Sequence, residues 1–329
     1  MSGPRVSVLL PVRDEELYLA ECLDSLSEQT LADFEVIAVD DGSTDETPGI
    51  LNEHARADSR FRVLRQEPAG VVAASERARA EARAPLLARM DGDDVALPER
   101  LELQVAAIEE EGLAAVGGQV EYFREPTDGM RAYTDWLNSL VTVEAAARDA
   151  WVECPLPGPA LTMRAELVSY RDRGWPEDYD IVLRLLEGGH RFRNLDRLLH
   201  RWRDHPKRLT RTGRAYTLDA FRRCKVHFLR RTLLAGGRPA VVWGAGPTGK
   251  ALARVLLEEG TPLAAFVEVD PRKLGKRIHG APVVPVEQGV DFPGTLALGA
   301  VSGPESRARV REFAAGLGLE EGKDFVAVA

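Results

Sequence analysis

The sequence predicts an α/β fold in which a mixed, mostly parallel sheet is flanked by helices and is followed by a second, smaller α/β domain. Two observations support this prediction. Short apolar runs alternate with segments of helical periodicity, and the alternation starts again after a glycine-rich stretch near residue 236. Such alternation is typical of parallel sheets, which bind ligands beyond the carboxyl ends of their strands. The 329 residues, 44% of them hydrophobic, suffice for two cores.

The first part of the chain is predicted to alternate strands with helices. Apolar and β-branched runs predict strands at residues 6–12, 34–39, 61–64 and 85–90. Leu19, Cys22, Leu23 and Leu26 recur at helical spacing and predict a helix at residues 17–27. Further helices are predicted at residues 47–57, 71–83 and 181–186.

A domain boundary is predicted at residues 236–239, where two glycines and a proline interrupt the pattern. We therefore predict domains at residues 1–235 and 238–329, with a basic helical segment at about 191–235. In the second domain, strands are predicted at residues 240–243, 263–269, 282–284, 296–301 and 325–328, and a helix at 248–259.

Composition narrows the class of protein. The net charge of -9 argues against general nucleic-acid binding. The three cysteines, Cys22, Cys154 and Cys224, form no CxxC pair and predict neither a disulfide framework nor a zinc site. No apolar run approaches the roughly 20 residues of a membrane span, and the N-terminus lacks the pattern of a secretory signal. We therefore expect a cytoplasmic protein.

The first acidic cluster follows the strand at residues 34–39 and reads Asp40-Asp41-Gly42-Ser43-Thr44-Asp45. Gly42 permits a tight turn, so that Asp40 and Asp41 can accept hydrogen bonds from a base or a ribose. The alternative is a turn with a helix N-cap supplied by Ser43 or Thr44. Both interpretations stay open on this segment alone.

The second cluster, Asp91-Gly92-Asp93-Asp94, follows the strand at residues 85–90. Asp91 and Asp93 lie two residues apart and project to one side of an extended backbone. A diphosphate is commonly bound through a divalent cation that one or two carboxylates hold, and the cation offsets charge on the leaving nucleotide. The alternative is a simple Asp-Gly turn.

The third cluster, Glu177-Asp178-Tyr179-Asp180, opens a predicted helix. Acidic residues stabilise a helix N-terminus through the helix dipole, which explains one or two of them without a function. A hydroxyl group is a poor nucleophile without a positioned base, and one of these carboxylates could accept its proton.

Together these segments resemble family 2 glycosyltransferases with the GT-A fold, over residues 6 to about 211. The resemblance rests on the order and spacing of five segments. They are the opening strand and loop at residues 8–16, the nucleotide-binding loop at 39–45, the metal motif at 91–94, the acidic motif at 176–180 and the late histidine in Arg203-Asp204-His205.

The resemblance implies a role for each matching residue. Asp178 would be the catalytic base, and Asp93 and His205 would bind a divalent metal, Mn²⁺ or Mg²⁺. The nucleotide-sugar contacts would come from Pro11, Val12, Glu15, Asp40, Asp41, Asp91 and Gly92. It also implies inversion at the anomeric carbon. The expected donor is a UDP-, dTDP- or GDP-linked sugar, and the expected acceptor is a glycan or a lipid-linked molecule. Such a reaction belongs to cell-surface polysaccharide synthesis. Glu76 and Ala78 depart from the family, which usually has asparagine and glycine there, and this affects donor preference.

The predicted second domain contains Gly244-Ala245-Gly246-Pro247-Thr248-Gly249-Lys250 between a strand and a helix. Glu268 and Asp270 end the next strand, where an acid can bind a ribose. The run at residues 266–276 with residues 280–283 resembles the Rossmann-like domains of bacterial sugar and polysaccharide biosynthesis proteins. This resemblance implies an NAD(P)-like or sugar-nucleotide ligand, for which Gly244, Gly246, Gly249, Glu268 and Asp270 are the candidate contacts. Ala251 replaces the Ser or Thr of a P-loop. The alternative is a structural or dimerising domain.

A basic segment separates the two predicted domains. Residues 191–231 contain fourteen Lys or Arg against three Asp, a local charge of +11. A basic amphipathic helix at residues 216–234 could contact anionic lipid at the inner face of the membrane. The alternative, which we favour, is a solvated helix whose arginines pair with acidic neighbours.

Other functions remain open from the sequence alone. A nucleotide-sugar sensor or scaffold without turnover would keep the same binding residues. An oxidoreductase would depend only on Gly244 to Gly249. A nucleotidyltransferase usually has a basic glycine-rich loop near the N-terminus, which residues 11–15 lack.

Overall fold

The computed structural model describes residues 3–329, and the chain divides into two compact units. The first unit comprises residues up to 146 together with 155–173 and 189–212. The second comprises residues 147–154, 174–188 and 213–329. The predicted domain 1–235 begins with two residues outside the described part, and its boundary with 238–329 stays a prediction. Within residues 3–329, none of the helices has the length and apolar character that a bilayer crossing requires.

The first unit is built on an eight-stranded sheet. Its strands are β1 (Val6–Val12), β2 (Phe34–Asp40), β3 (Phe61–Arg65), β4 (Leu86–Arg89), β5 (Val95–Ala96), β6 (Ala115–Tyr122), β7 (Thr162–Arg164) and β8 (Phe192–Trp202). The spatial order is β3-β2-β1-β4-β7-β6-β8-β5. β7 runs antiparallel to β4 and β6, β5 runs antiparallel to β8, and the other pairs are parallel. The predicted mixed, mostly parallel sheet is confirmed.

Helices connect and cover the strands. They are α1 (Leu19–Ser27), α2 (Thr47–Ala57), α3 (Val71–Glu81), α4 (Arg100–Glu111), α5 (Asp128–Asn138), α6 (Val143–Asp149), α7 (Glu177–Glu187), α8 (Leu209–Thr212), α9 (Leu218–Arg231), α10 (Pro247–Glu258) and α11 (Pro304–Gly316). The apolar stripe of α1 is buried in the same core as alternate residues of β1, because helical and strand periodicities each place one apolar face inward.

β2 and β4 place the first two acidic clusters at one edge of the sheet, beside the end of β1. Every residue of these three strands is buried, as expected of parallel strands covered on both faces. Because β1 pairs in parallel with both β2 and β4, their carboxyl ends lie at the same edge of the sheet. The loops that follow them begin at Arg13, Asp41 and Met90. The chain therefore brings three separate segments to one edge.

The second unit contains a six-stranded sheet. Its strands are β9 (Ala240–Trp243), β10 (Leu263–Val267), β11 (Arg277–Ile278), β12 (Ala281–Val284), β13 (Leu296–Gly299) and β14 (Phe325–Ala327), in the order β11-β12-β10-β9-β13-β14. All pairs are parallel except β11 with β12. β9 lies between β10 and β13, so the strand order reverses beside the glycine turn that follows β9.

Most predicted elements match to within two residues. Strand 6–12 and helix 47–57 have the predicted bounds, whereas the helix predicted at 181–186 extends back to Glu177. The helix predicted at 17–27 begins at Leu19, because Leu17 is exposed and Tyr18 lies outside helical geometry. The strand predicted at 263–269 ends at Val267, where the Glu268 carboxylate turns back on its own backbone.

Candidate active site

The acidic turn, residues 90–94, follows β4 and is shaped by a glycine. A Cβ atom at Gly92 would lie 2.8 Å from Cγ1 of Val12, so a larger residue would push the turn away from β1. Oxygen atoms of Asp91, Asp93 and Asp94 lie within 4.8 Å of one another. Three carboxylates are therefore concentrated at the edge where β1 and β4 end.

Asp91 is held by Arg89, the last residue of β4. Nε and Nη2 of Arg89 donate to Oδ1 of Asp91 at 3.0 and 2.7 Å, and Nη1 of Arg89 donates to Oγ of Ser75 at 2.8 Å. Burial acts to raise the pKa of Asp91, but the guanidinium outweighs it and the net pKa lies below its usual value. Asp91 is therefore an ionised carboxylate with a fixed orientation.

Asp93 and His205 form the pair that the resemblance implied. Oδ2 of Asp93 lies 2.9 Å from Nε2 of His205, although 112 positions separate them along the chain. Burial raises the pKa of Asp93 to about 6, and the neighbouring carboxylates of Asp94 and Asp91 add to the effect. Carboxylate and imidazole are a donor set that suits Mn²⁺ at least as well as Mg²⁺.

Glu15 faces the same group of carboxylates. Burial, together with repulsion from Asp93, Asp91 and Asp94, raises the pKa of Glu15 to about 8. The sequence placed Glu15 near the nucleotide but gave no sign that it faces the acidic turn. Negative groups crowded in a buried site cost free energy unless they are protonated or share a cation.

Asp94 differs from its neighbours because it is fully buried and both of its oxygens accept hydrogen bonds. Its Oδ1 accepts from the backbone N–H of Arg203 at 2.8 Å, and its Oδ2 lies 3.0 Å from Nε2 of His200. Burial raises the pKa of Asp94 to about 7. Burial, together with the positive charge of Arg100, lowers the pKa of His200 well below its usual value, so that its ring is neutral.

Arg208 is a basic residue of this neighbourhood that sequence reasoning did not single out as a site candidate. Its guanidinium lies 5.3 Å from the ring centre of Trp202. Burial acts to lower its pKa, but Asp94, Asp93 and Asp91 outweigh burial and raise it. Within residues 3–329 its side chain has no ion pair within 4.0 Å. The sequence marked it only as one of many arginines in the basic segment.

In the predicted nucleotide-binding loop, the carboxylates of Asp40 and Asp41 accept hydrogen bonds from nearby backbone N–H groups. Val12 accepts a hydrogen bond from the backbone N–H of Asp41 at 2.9 Å, and Pro11 precedes it in β1. The Asp41 carboxylate accepts from the backbone N–H groups of Ala69 and Gly70, both at 2.8 Å. Asp40 is 1% exposed, and its Oδ1 accepts from the backbone N–H of Ser43 at 2.9 Å. Both carboxylates therefore shape the loop.

Glu76, the departure from the family, is turned toward neighbouring protein groups. It accepts from Arg79 at 2.9 Å and from the backbone N–H of Tyr170 at 3.0 Å. This pairing offsets the negative charge of Glu76.

The acidic motif lies on the first turn of α7, in the second unit. Glu177 accepts from the hydroxyl of Tyr216 at 2.5 Å, and Asp180 accepts from Arg184 at 2.8 Å. Both are buried, whereas Asp178 is partly exposed. Asp178 also accepts a hydrogen bond from the backbone N–H of Tyr179 at 2.7 Å. Glu177 and Asp180 are thus committed to the fold of this unit.

In the second unit, the glycines of the turn after β9 are required by packing. A Cβ atom at Gly249 would lie 1.8 Å from the carbonyl oxygen of Gly244, whereas a Cβ atom at Gly246 would meet no atom within 4 Å. Gly244 has a φ of +110° and approaches the carbonyl oxygen of Ala300. The first and last glycines of the motif therefore allow α10 to approach the turn closely.

The acid predicted to bind a ribose in this unit, Glu268, is occupied by its own chain. Its carboxylate accepts from the backbone N–H groups of Ala245, Val269 and Asp270 at 2.9 to 3.1 Å. Nζ of Lys273 lies 2.8 Å away. Burial acts to raise the pKa of Glu268, but Lys273 and the N–H groups lower it overall. Asp270 pairs with Arg272, whose hydrogen bond lowers the pKa of Asp270 to about 2.

The basic segment is largely ion-paired within each unit. In the second unit Arg223 pairs with Asp219 and Glu258. In the same unit Arg230 pairs with Glu259 and Arg231 with Glu187. In the first unit Arg193 pairs with Glu111, Arg197 with Glu99 and Arg211 with Asp204. The pairing agrees with a solvated, charge-balanced helix, and contact with a membrane stays a prediction.

Comparison with known proteins identifies the first part of the chain. Residues 7–169 match the family model described as Glycosyl transferase family 2. The uncharacterized glycosyltransferase EpsJ of Bacillus subtilis is 29% identical over 219 residues, which are 63% of this chain and 63% of EpsJ. The chain spans 30% and 63% of the lengths of the first two curated relatives that it matches.

Two solved structures share the fold. TarS 1–349 of S. aureus in complex with UDP-GlcNAc has a TM-score of 0.58 and 19% identity, covering 77% of this chain and 71% of that one. The mannosyltransferase PcManGT from Pyrobaculum calidifontis, in complex with GDP-Man and Mn²⁺, has a TM-score of 0.53 and 21% identity, covering 79% and 72%. At these identities the likeness concerns the fold.

Proposed function

The chain belongs to glycosyl transferase family 2 through residues 7–169, and on that premise we propose that it is an inverting enzyme. It moves a sugar from a nucleoside-diphosphate donor to a hydroxyl group of a glycan or lipid-linked acceptor in cell-surface polysaccharide synthesis. The structural neighbours in complex with UDP-GlcNAc and with GDP-Man support the class of donor.

The observation that supports a metal site is the crowding at the acidic turn. Asp91, Asp93 and Asp94 meet within 4.8 Å, and Glu15 and Asp93 have raised pKa values because buried negative groups repel one another. A divalent cation would remove this repulsion, so the residues present fit one. Asp93 and His205 would hold it, and a neighbour in complex with Mn²⁺ supports the same ion.

Residues around the cation would then have separate roles in the reaction. A bound cation supplies Lewis-acid stabilisation of the leaving diphosphate. Arg208 would add a second positive charge beside the diphosphate, since it faces the three carboxylates without an ion-pair partner in the described residues. Asp91, held by Arg89, would orient the sugar of the nucleotide.

Asp178 would accept the proton of the acceptor hydroxyl. Among the acids of the motif, Glu177 and Asp180 are buried against Tyr216 and Arg184, which leaves Asp178 as the partly exposed carboxylate. A single displacement needs one base, in contrast to the two carboxylates of a glycosidase.

The full-length chain tests the proposal. It is mixed with MnCl₂ and a panel of UDP-, dTDP- and GDP-sugars, and nucleotide release is measured with and without candidate glycan acceptors. We expect one donor class to raise the unfolding temperature and to release nucleotide when an acceptor is added. No donor-dependent stabilisation and no release with any donor would refute the function.

The base assignment has its own test. Asp178→Asn should lower transfer by about 10²- to 10⁴-fold, the usual contribution of a general base, while donor affinity stays unchanged. The control is Asp172→Asn, an exposed aspartate six positions earlier, which should keep full activity. An active Asp178→Asn enzyme would show that another group accepts the proton.

A further inference from the structure

Both carboxylate oxygens of Asp94 accept hydrogen bonds inside the protein. The residue is 0% exposed. Oδ1 accepts the backbone N–H of Arg203 at 2.8 Å, and Oδ2 is 3.0 Å from Nε2 of His200. Turning either oxygen away from its donor and toward a cation would leave that donor unsatisfied, and an unsatisfied buried polar group costs about 1–3 kcal/mol.

The hydrogen bond from His200 has a defined direction. Nδ1 of His200 lies 3.3 Å from Nη1 of Arg100, and a guanidinium can only donate. Nδ1 therefore accepts, the ring proton is on Nε2, and Nε2 donates to Asp94. Arg100 is itself fully buried, and its Nη2 donates to the carbonyl oxygen of Arg89 at 2.5 Å. A buried series of bonds thus runs from α4 through β8 to Asp94.

The same bonds fix the segment that follows β8. Besides the N–H that reaches Asp94, Nε of Arg203 donates to the carbonyl oxygen of Asp93 at 2.9 Å. The Arg203 guanidinium also lies 4.4 Å from the ring centre of Tyr18 and 4.0 Å from that of Phe123. Two residues further on, Nε2 of His205 reaches Oδ2 of Asp93 at 2.9 Å. The position of His205 therefore depends on the attachment of residue 203.

We propose that Asp94 is a positioning residue and that the metal is bound by Asp93 and His205 without it. Asp94 attaches the end of β8 to the acidic turn, Arg100 orients His200 for that purpose, and His205 is brought to Asp93 as a result. This inference rests on the metal site of the proposed function. It assigns different roles to three adjacent carboxylates, since Asp91 is paired with Arg89.

The test is a double-mutant cycle on Mn²⁺ affinity, measured by electron paramagnetic resonance of free Mn²⁺ in the absence of nucleotide sugar. Asp94→Asn places an amide N–H against a hydrogen-bond donor of Arg203 or His200. It should weaken Mn²⁺ binding by about 10- to 100-fold, as outer-shell substitutions do. In a His205→Ala background the same substitution should change the affinity less than about twofold, because Asp94 acts through His205. Equal losses in both backgrounds would make Asp94 a direct ligand and overturn the inference.

Two controls separate the possible failures. If wild-type protein binds no Mn²⁺, both the proposed function and this inference are wrong, whereas binding with additive losses contradicts the inference alone. If Asp94→Asn has no cooperative unfolding transition, the cycle is run with His200→Leu, which removes the donor to Asp94. His200→Gln keeps a donor near the position of Nε2 and should retain most of the affinity. Equal affinities for the Leu and Gln variants would contradict the assignment.

Discussion

The acidic turn after β4 and the acidic end of β10, beside the glycine turn, both follow carboxyl ends of strands in mostly parallel sheets, yet the pKa values of several of their carboxylates shift in opposite directions. In the first, burial and mutual repulsion raise the pKa values of Glu15, Asp93 and Asp94 to between about 6 and 8. In the second, backbone N–H groups and Lys273 surround Glu268 and lower its pKa. A carboxylate at the end of a strand is thus either repelled by neighbouring carboxylates, which raises its pKa, or stabilised by hydrogen-bond donors and a cation, which lowers it.

The largest effect that we predict is the loss of Mn²⁺ affinity when Asp93 is replaced. Asp93→Asn should weaken Mn²⁺ binding by more than about 100-fold, because loss of a direct ligand should exceed the 10- to 100-fold effect of outer-shell changes. Asp270→Asn is the matched control, since it neutralises an aspartate after β10 that already pairs with Arg272. Its Mn²⁺ affinity, measured by calorimetry, should equal that of the wild type. Similar losses in both variants would show that the chain binds Mn²⁺ without a preference for the acidic turn.

The stability of the protein should depend on the size of the side chains in the glycine turn. Gly249→Ala should lower the free energy of unfolding by about 3 kcal/mol, within the cost of overpacking, because its Cβ would lie 1.8 Å from a backbone oxygen. Gly246→Ala, whose Cβ meets no atom within 4 Å, should change it by less than about 1 kcal/mol. Chemical denaturation measures both. Equal effects would mean that close approach of α10 does not explain the glycines.

When no metal is present, neutralising Asp93 and neutralising Glu268 should change the free energy of unfolding in opposite directions. The pKa of Asp93 is raised to about 6, so the unfolded chain loses that proton first and stability falls as the pH rises from about 4 to 6. Asp93→Asn should therefore stabilise the metal-free protein at pH 8 by about 1–3 kcal/mol.

Glu268 has a lowered pKa, so its contribution is present at neutral pH and is lost as the pH falls through the folded pKa. Glu268→Gln should accordingly destabilise the protein by about 1–3 kcal/mol at pH 8, because three N–H groups and Lys273 lose a charged acceptor. Thermal unfolding in the presence of a chelator measures both variants, and effects of the same sign would contradict the comparison.

Local sequence signals predicted the elements and the turns well. β1 and α2 have the predicted bounds because an apolar run and a helical period are properties of neighbouring residues. The pairing of Asp93 with His205 was available only through the family resemblance, since 112 positions separate the two residues. The antiparallel insertion of β7 between β4 and β6 gave no signal, because a three-residue strand is too short to show a period.

The division of roles within the acidic turn could not be predicted from the sequence. Asp91, Asp93 and Asp94 are chemically identical, and only their partners Arg89, His205 and His200 distinguish them. His200 stands in the middle of a strand and lacks any motif. Glu268 was predicted to face a ribose because its position fits the fingerprint, but position alone does not reveal that backbone N–H groups already occupy its oxygens.

The central claim is that partly protonated, crowded carboxylates at the acidic turn accept a divalent cation. Calorimetric titration of Mn²⁺ at pH 6.5 in several buffers of different ionisation enthalpy counts the protons released per ion bound. Because the pKa values of Glu15, Asp93 and Asp94 lie near or above about 6, we expect net release of roughly one proton and an affinity that increases from pH 5 to pH 8. Mn²⁺ binding with no proton release and no dependence on pH would contradict the account.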